Sequence, residues 1–274
     1  MDITEVNPVY ATVKNSIMAK LDKLEEYFKA DVIFFYGEIA PFTFSVYRSL
    51  LEQLNKNKGE KEKLVIFLNT PGGTVETVEQ YVAINRHYYK EVYFVVPDRA
   101  MSAGTVFCMS GDKIFMDYSS SLGPIDPQIF NGERYVPAMG YLDKINEYIN
   151  KAQQGVLLNA VDIFFLQKQD IAFLRLCEQQ RDLTVSLIKE WLENYRGATS
   201  KQAEAIAKEL GDNSKWLSHG RSIDIKKLTA MGLKIEDYSL NEELTALVRE
   251  YSDLLLSFIQ QNNLPFFLNS RLYF

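Results

Sequence analysis

Two turns constrain this chain more than anything else in its sequence. Pro-Asp-Arg-Ala-Met-Ser-Ala-Gly spans Pro97–Gly104 and follows the β-branched, aromatic run Glu91–Val96. Phe-Leu-Asn-Thr-Pro-Gly-Gly-Thr spans Phe67–Thr74 and closes the run Leu64–Leu68. A segment with helical spacing follows each turn, Thr74–Tyr89 in one case and Ser102–Ser110 in the other. Strand, short turn and helix in repetition predict a parallel sheet with right-handed crossovers. Turns at the carboxyl ends of such strands are where α/β proteins place their chemistry.

The remaining segments fit around that unit. Residues 8–29 carry Val13, Ile17, Leu21, Leu24 and Phe28 on one helical face. Asp31–Ile39 is a nearly continuous apolar run, the pattern of a strand covered on both faces. Pro41 can open a helix at its first turn, running to about Asn57, and the charged turn 57–63 follows. Lys113–Asp117 reads as a further strand, and Ser119–Gln128, with two prolines, as a loop. Gly132–Pro137 is ambiguous. Beyond it, Tyr141–Ala152 reads as a helix and Leu157–Arg196 as one long helix or a broken pair. Another helix begins near Thr199 and Ser200, both candidate N-caps. Trp216–Asp224 returns to loop character, Ile225–Met231 is a short helix ended by Gly232, and Leu240–Gln260 is the last helix. The aromatic tail Leu264–Phe274 needs cover from this chain or a neighbour. The expected organisation is an α/β core over 1–137, a helical annex over 138–239, and a terminal helix and tail over 240–274, all within one domain.

Composition excludes several classes. The chain has 274 residues and a net charge of −6, with no Lys/Arg stripe interleaved with aromatics, which argues against a nucleic-acid partner. No uncharged apolar run reaches the ~18 residues of a membrane span, and Met1–Glu5 has neither the basic nor the apolar region of a signal peptide. The two cysteines, Cys108 and Cys177, read as buried free thiols, which fits a reducing, cytoplasmic setting. Two histidines and two cysteines far apart in sequence support no metal site, and no cofactor is called for.

Ser102 is the candidate nucleophile. It falls directly after a strand, at the first turn of a helix, with the small Ala103 and Gly104 beside it. An ordinary N-cap would explain a serine here too. Gly72 and Gly73 add the second half: paired glycines after Pro71 allow positive φ and let a peptide N–H face a cleft. A nucleophile on one turn and a donor on the next is what acyl transfer requires.

These residues resemble the serine dehydrogenase proteinase family. That family lies within the superfamily of the Clp protease proteolytic subunit and the crotonases and is related to signal peptide peptidase A. The resemblance rests on Asn69–Thr74, Val95–Gly104, Ser121–Gln128 and Ser218–Ile223, in that order, with Ala230–Leu233 near the end. It implies a ClpP/crotonase-like fold, Ser102 as the acylated residue, and an oxyanion hole at Gly72, Gly73 and Ala103, with the N–H groups of Gly73 and Ala103 as its donors. It also implies a peptide or protein substrate and a homo-oligomer.

The general base is left open between two residues. The Clp subunit carries its histidine about 25 residues beyond the serine, and Leu122–Gln128 holds none. Relatives with a Ser-Lys dyad place the lysine 40–50 residues beyond, which points to Lys144 and then Lys151. A lysine base must be neutral, and the neighbouring Asp143 would raise its pKa instead. His219 falls close to where the Clp subunit carries its triad acid, and an imidazole needs no tuning to act as a base; as an ordinary loop histidine it would bond Asp224 or the backbone. Asp126 could orient a base, bind substrate, or simply close an Asx turn between prolines. His87 reads as a helix C-terminal residue. Three functions are therefore weighed: a serine peptidase, a catalytically inactive ClpP-like scaffold or binding subunit, and a crotonase-type acyl-CoA hydratase or isomerase.

Overall fold

The computed structural model describes residues 8–57 and 59–274. The amino-terminal residues read for a targeting signal, and Lys58 of the charged turn, lie outside the described residues. The chain opens with α1 (Pro8–Phe28), β1 (Asp31–Gly37), a short 3₁₀ turn at Pro41–Thr43, α2 (Phe44–Lys56), β2 (Lys63–Asn69), α3 (Val75–Tyr88) and β3 (Glu91–Val95). The two-residue β4 (Arg99–Ala100), α4 (Ala103–Met109), β5 (Lys113–Met116) and β6 (Ser121–Leu122) follow. A hairpin of β7 (Gln128–Phe130) and β8 (Tyr135–Pro137) leads into α5 (Ala138–Gln153), α6 (Ala160–Gln167), α7 (Ile171–Arg196), α8 (Ser200–Leu210), α9 (Asn213–Trp216) and α10 (Ile225–Ala230). The last elements are β9 (Glu236–Asp237), α11 (Glu242–Gln261) and β10 (Phe266–Asn269).

The main sheet has the order β10-β1-β2-β3-β5-β9, parallel throughout except for β10, which runs antiparallel beside β1. The continuous apolar runs arise because both faces are covered. Ile33, Phe35, Leu64, Ile66, Leu68 and Phe94 point to one side, where α2, α3, α4 and α7 pack. Val32, Phe34, Val65, Phe67 and Val95 point to the other, under α1 and α11. Alternation of side chains along each strand thus divides a single hydrophobic run between two cores.

Several expectations take sharper form. Leu157–Arg196 is a broken pair: Asn159 caps α6, Asp170 caps α7, and the break falls between Lys168 and Asp170. The ambiguous stretch 132–137 holds one arm of the β7–β8 hairpin. The aromatic tail is covered by its own chain, since it adds β10 to the edge of the sheet. Ile39 leaves the strand it was assigned to. β1 ends at Gly37, and Ile39 forms a separate parallel bridge with Gly73.

Candidate active site

Two loops from neighbouring strands are laced together at the carboxyl edge of the sheet. The Thr70 N–H donates to the Arg99 carbonyl (3.0 Å) and the Met101 N–H donates to the Thr70 carbonyl (3.0 Å), so the Gly-Gly turn and the serine turn lie side by side. On its other flank the Gly-Gly turn is held by Ile39, whose N–H donates to the Gly72 carbonyl (2.8 Å) and whose carbonyl accepts from the Thr74 N–H (2.9 Å). Contacts this close leave no room for side chains. A Cβ on Gly73 (φ +148°) would sit 1.8 Å from the Ile39 carbonyl oxygen, and one on Gly72 (φ +114°) 2.8 Å from the Ser102 Cβ.

Ser102 occupies a strained backbone position, φ 51° and ψ −119°, at the N-cap of α4, and its side chain does not cap the helix. A non-glycine residue in this region costs about 1–3 kcal/mol and persists only where its surroundings impose it. Here they do: Met101 is fixed to Thr70, and the Met101 carbonyl accepts from the Gly104 N–H at 2.8 Å. The turn has the shape of a nucleophile elbow, and Ser102, its side chain not used as a cap, lines a cavity of about 430 Å³. Gly73 and Ala103 line the same cavity, and among the described residues neither of their N–H groups has an acceptor. Two such donors beside a serine are the elements of an oxyanion hole.

His219 lines this cavity as well. Its Nδ1 lies 2.8 Å from Oδ1 of Asp126, a carboxylate with 1 % of its side chain exposed. The other carboxylate oxygen, Oδ2, accepts from Gln128 Nε2 at 2.9 Å. The loops bearing the two residues are pinned together: Leu122 and Ile223 exchange backbone hydrogen bonds of 3.1 and 2.8 Å. The Thr105 hydroxyl joins the Asp126 loop to the serine turn by bridging the Ala100 carbonyl (2.8 Å) and the Gly123 N–H (2.9 Å).

The structure does not bring Lys144 to Ser102. Lys144 lines a separate cavity with Tyr141, Ile145 and Tyr148 on α5 and Phe165 on α6. Its ammonium is exposed and donates to Glu147 at 2.7 Å. That hydrogen bond, with the charge of Glu147, raises its pKa, the wrong direction for a base. Lys151 likewise pairs with Glu147, at 3.0 Å. Asp224, the alternative partner read for His219, instead caps α10 by accepting from the Lys227 N–H. His87 ends α3 with its ring against Tyr88, as the sequence predicts. Three residues went unread as site components. Gln128 had a signal, two residues from Asp126 in a proline-flanked turn. Glu38 and Glu76, whose carboxylates belong to residues lining the Ser102 cavity, had none, because they reach it from the ends of β1 and α3. Among the described residues there is no group of three His, Cys, Asp or Glu side chains able to hold a metal ion, and no helix long and apolar enough to cross a membrane.

Fold and site together define an α/β protein with a serine elbow facing a glycine-rich turn. The chain belongs to the family of ClpP-like SDH-type serine proteinases, whose model matches residues 49–267. It is 30 % identical over 191 residues to the uncharacterised protein MJ0137 of Methanocaldococcus jannaschii, covering 68 % of this chain and 57 % of that protein. It is 26 % identical over 170 residues to MJ1495 of the same organism, covering 62 % and 51 %. The chain thus spans a little over half the length of these relatives. Among solved structures, a 1510-N membrane-bound stomatin-specific protease shares the fold, with a TM-score of 0.50 at 16 % identity, covering 78 % of this chain and 82 % of that one.

Proposed function

We propose that this protein is a serine peptidase acting through an acyl-enzyme on Ser102, with His219 as general base and Asp126 as the group that orients it. The observation that carries this reading is the 2.8 Å contact between Asp126 and His219 at the cavity that also contains Ser102. The buried carboxylate accepts the Nδ1 proton, which leaves Nε2 as the basic nitrogen. Nε2 takes the proton from the Ser102 hydroxyl as the oxygen attacks the peptide carbonyl. The Gly73 and Ala103 N–H groups stabilise the resulting oxyanion. His219 then returns the proton to the leaving amine, and a water activated by the same nitrogen releases the acyl group.

In this reading the acid and the base have exchanged places along the chain. Asp126 stands 24 residues beyond Ser102, near the position at which the Clp subunit was expected to carry its histidine, and His219 stands near the expected acid. A triad is defined by geometry, and unrelated folds carry it in different orders, Ser-Asp-His among them. Lys144 has no part in it. The test is labelling by a fluorophosphonate probe together with cleavage of a casein-derived peptide pool. Ser102→Ala should abolish both, and undiminished cleavage by that variant would overturn the mechanism.

One observation favours a second reading, a crotonase-type acyl-CoA hydratase or isomerase: Glu38 and Glu76 line the same cavity and could serve as acid and base. Calorimetric binding of a CoA thioester, with no probe labelling of Ser102, would select it. The two free cysteines, both buried, support a reducing, cytoplasmic setting.

A further inference from the structure

The walls of the Ser102 cavity divide by chemistry. Val75, Val106, Ile125, Ile129 and Leu176 give it an apolar surface. Three of its lining residues carry a charge or take one near neutral pH: Glu38, Glu76 and His219. His219 is matched by Asp126, 2.8 Å away. Glu38 and Glu76 have no such match. The lining holds no lysine or arginine, and among the described residues neither carboxylate belongs to an ion pair.

Both glutamates are tied to the glycine turn. Ile39, directly after Glu38, forms a parallel bridge with Gly73. Glu76 follows Gly73 by three residues, in the first turn of α3. From α7, Gln180 Nε2 donates to Glu76 Oε1 at 3.2 Å, and Gln180 lines the cavity too. A carboxylate in a first turn suits the helix dipole in any protein, which accounts for Glu76 in part. Glu38 sits on no helix: it is exposed between the buried Gly37 and Ile39, just past the end of β1.

Water solvates both carboxylates while the cavity is open. A neutral or acidic side chain placed against them removes that water and leaves them unpaired, whereas a cation takes its place. Two unmatched negative charges at one cavity also raise the local concentration of cationic groups and repel anionic ones. Lysine and arginine fit the rest of the lining, because their aliphatic stems lie along apolar surface while the charged head reaches a polar end. The terminal ammonium of a peptide has no stem with which to use that wall. We propose that Glu38 and Glu76 select peptide substrates carrying a lysine or arginine side chain near the scissile bond, an inference that rests on the peptidase reading and gives it a substrate class.

Two measurements on the whole chain test it, both with a pool of random decapeptides acetylated at one end and amidated at the other. Immobilised Ser102→Ala is equilibrated with the pool, and the retained peptides are read by mass spectrometry. They should be enriched in lysine and arginine by about three- to tenfold. In the same background Glu38→Gln and Glu76→Gln should each lower the enrichment, and the two together should bring it to about one. Glu243→Gln, at an exposed residue of α11, should leave it unchanged, and circular dichroism shows that each variant folds. The wild type, given the pool, should cut with lysine or arginine within two residues of the broken bond. No enrichment, an enrichment that survives loss of both glutamates, or one seen only in peptides with a free amino terminus would overturn the proposal. Cleavage without the preference would also overturn it and leave the peptidase reading standing. Enrichment on Ser102→Ala without cleavage by the wild type would do the reverse.

Discussion

His219 and Asp126 are separated by 93 positions in the chain, yet Nδ1 and Oδ1 lie 2.8 Å apart, on loops tied to each other through Leu122 and Ile223. The carboxylate is buried and the imidazole is partly open to the Ser102 cavity. A buried carboxylate behind an imidazole at the wall is the polarity that the proposed triad needs.

If Asp126 holds the tautomer of His219, Asp126→Asn should lower kcat by about 10³–10⁴ with a small change in KM, as a misoriented imidazole would. His219→Ala should do at least as much. Lys144→Met should leave the rate unchanged. A rate equal to wild type in Asp126→Asn, or a large loss in Lys144→Met, would return the base to the lysine.

Gln128 should act through Asp126, since its amide holds the second carboxylate oxygen. Gln128→Ala should reduce kcat by about tenfold, on the order of the ~1.5 kcal/mol expected of a hydrogen bond to a charged group. Gln128→Asn should recover little, because its shorter side chain does not span the gap, and Gln128→His should recover part. Equal activity in all three variants would remove Gln128 from the site.

The strained backbone of Ser102 makes an opposite prediction for stability. Ser102→Gly, which tolerates φ 51° and ψ −119°, should raise unfolding free energy by about 1–2 kcal/mol while eliminating labelling. Gly73→Ala should do the reverse to the fold, because its Cβ would meet the Ile39 carbonyl. Urea denaturation distinguishes the two, and a destabilised Ser102→Gly would refute the assignment of strain.

Asp117 gives a pH signature. Burial pushes its carboxyl up, but hydrogen bonds from Ser119 and Ser120 and the Arg249 guanidinium outweigh burial and hold it below the usual carboxylate range. The folded pKa is therefore lower than the unfolded one. Its contribution is complete above the unfolded value of about 3.9 and is lost as pH falls through the folded value. Asp117→Asn should be less stable than wild type by about 1–3 kcal/mol at neutral pH, and the gap should close as the pH falls below 4. Melting curves from pH 7 to pH 3 would show it, and a constant gap would contradict the linkage.

Cys108 offers a check on the packing beneath the elbow. Burial pushes its thiol far up, with only partial relief from Arg196. Native protein at pH 8 should resist iodoacetamide at Cys108 and react after denaturation in urea. Rapid modification of the folded protein would mean that α4 opens.

Most of the architecture was legible because it is carried by local patterns. Leu64–Leu68 and Asp31–Ile39 read as strands from their apolar runs, the second two residues past the end of β1, and the cap of α8 was among the two residues read for it. β9 and β10 were missed because Glu236–Asp237 and Phe266–Asn269 are strands only by virtue of the edge they join, which is a long-range property. The break between α6 and α7 was readable as an alternative, but Asp170 as its cap emerges only once the chain direction changes there.

The sequence by itself determined the serine turn and the glycine turn that faces it, because both depend on short-range chemistry: a serine after a strand, and glycines where no Cβ fits. It left the base undecided between Lys144 and His219. Only the tertiary structure brought His219 to Asp126 and Lys144 to Glu147. Which charged groups become neighbours depends on how the annex folds back over the sheet, and hydrogen bonds and ion pairs act over a few ångströms, whatever the separation along the chain.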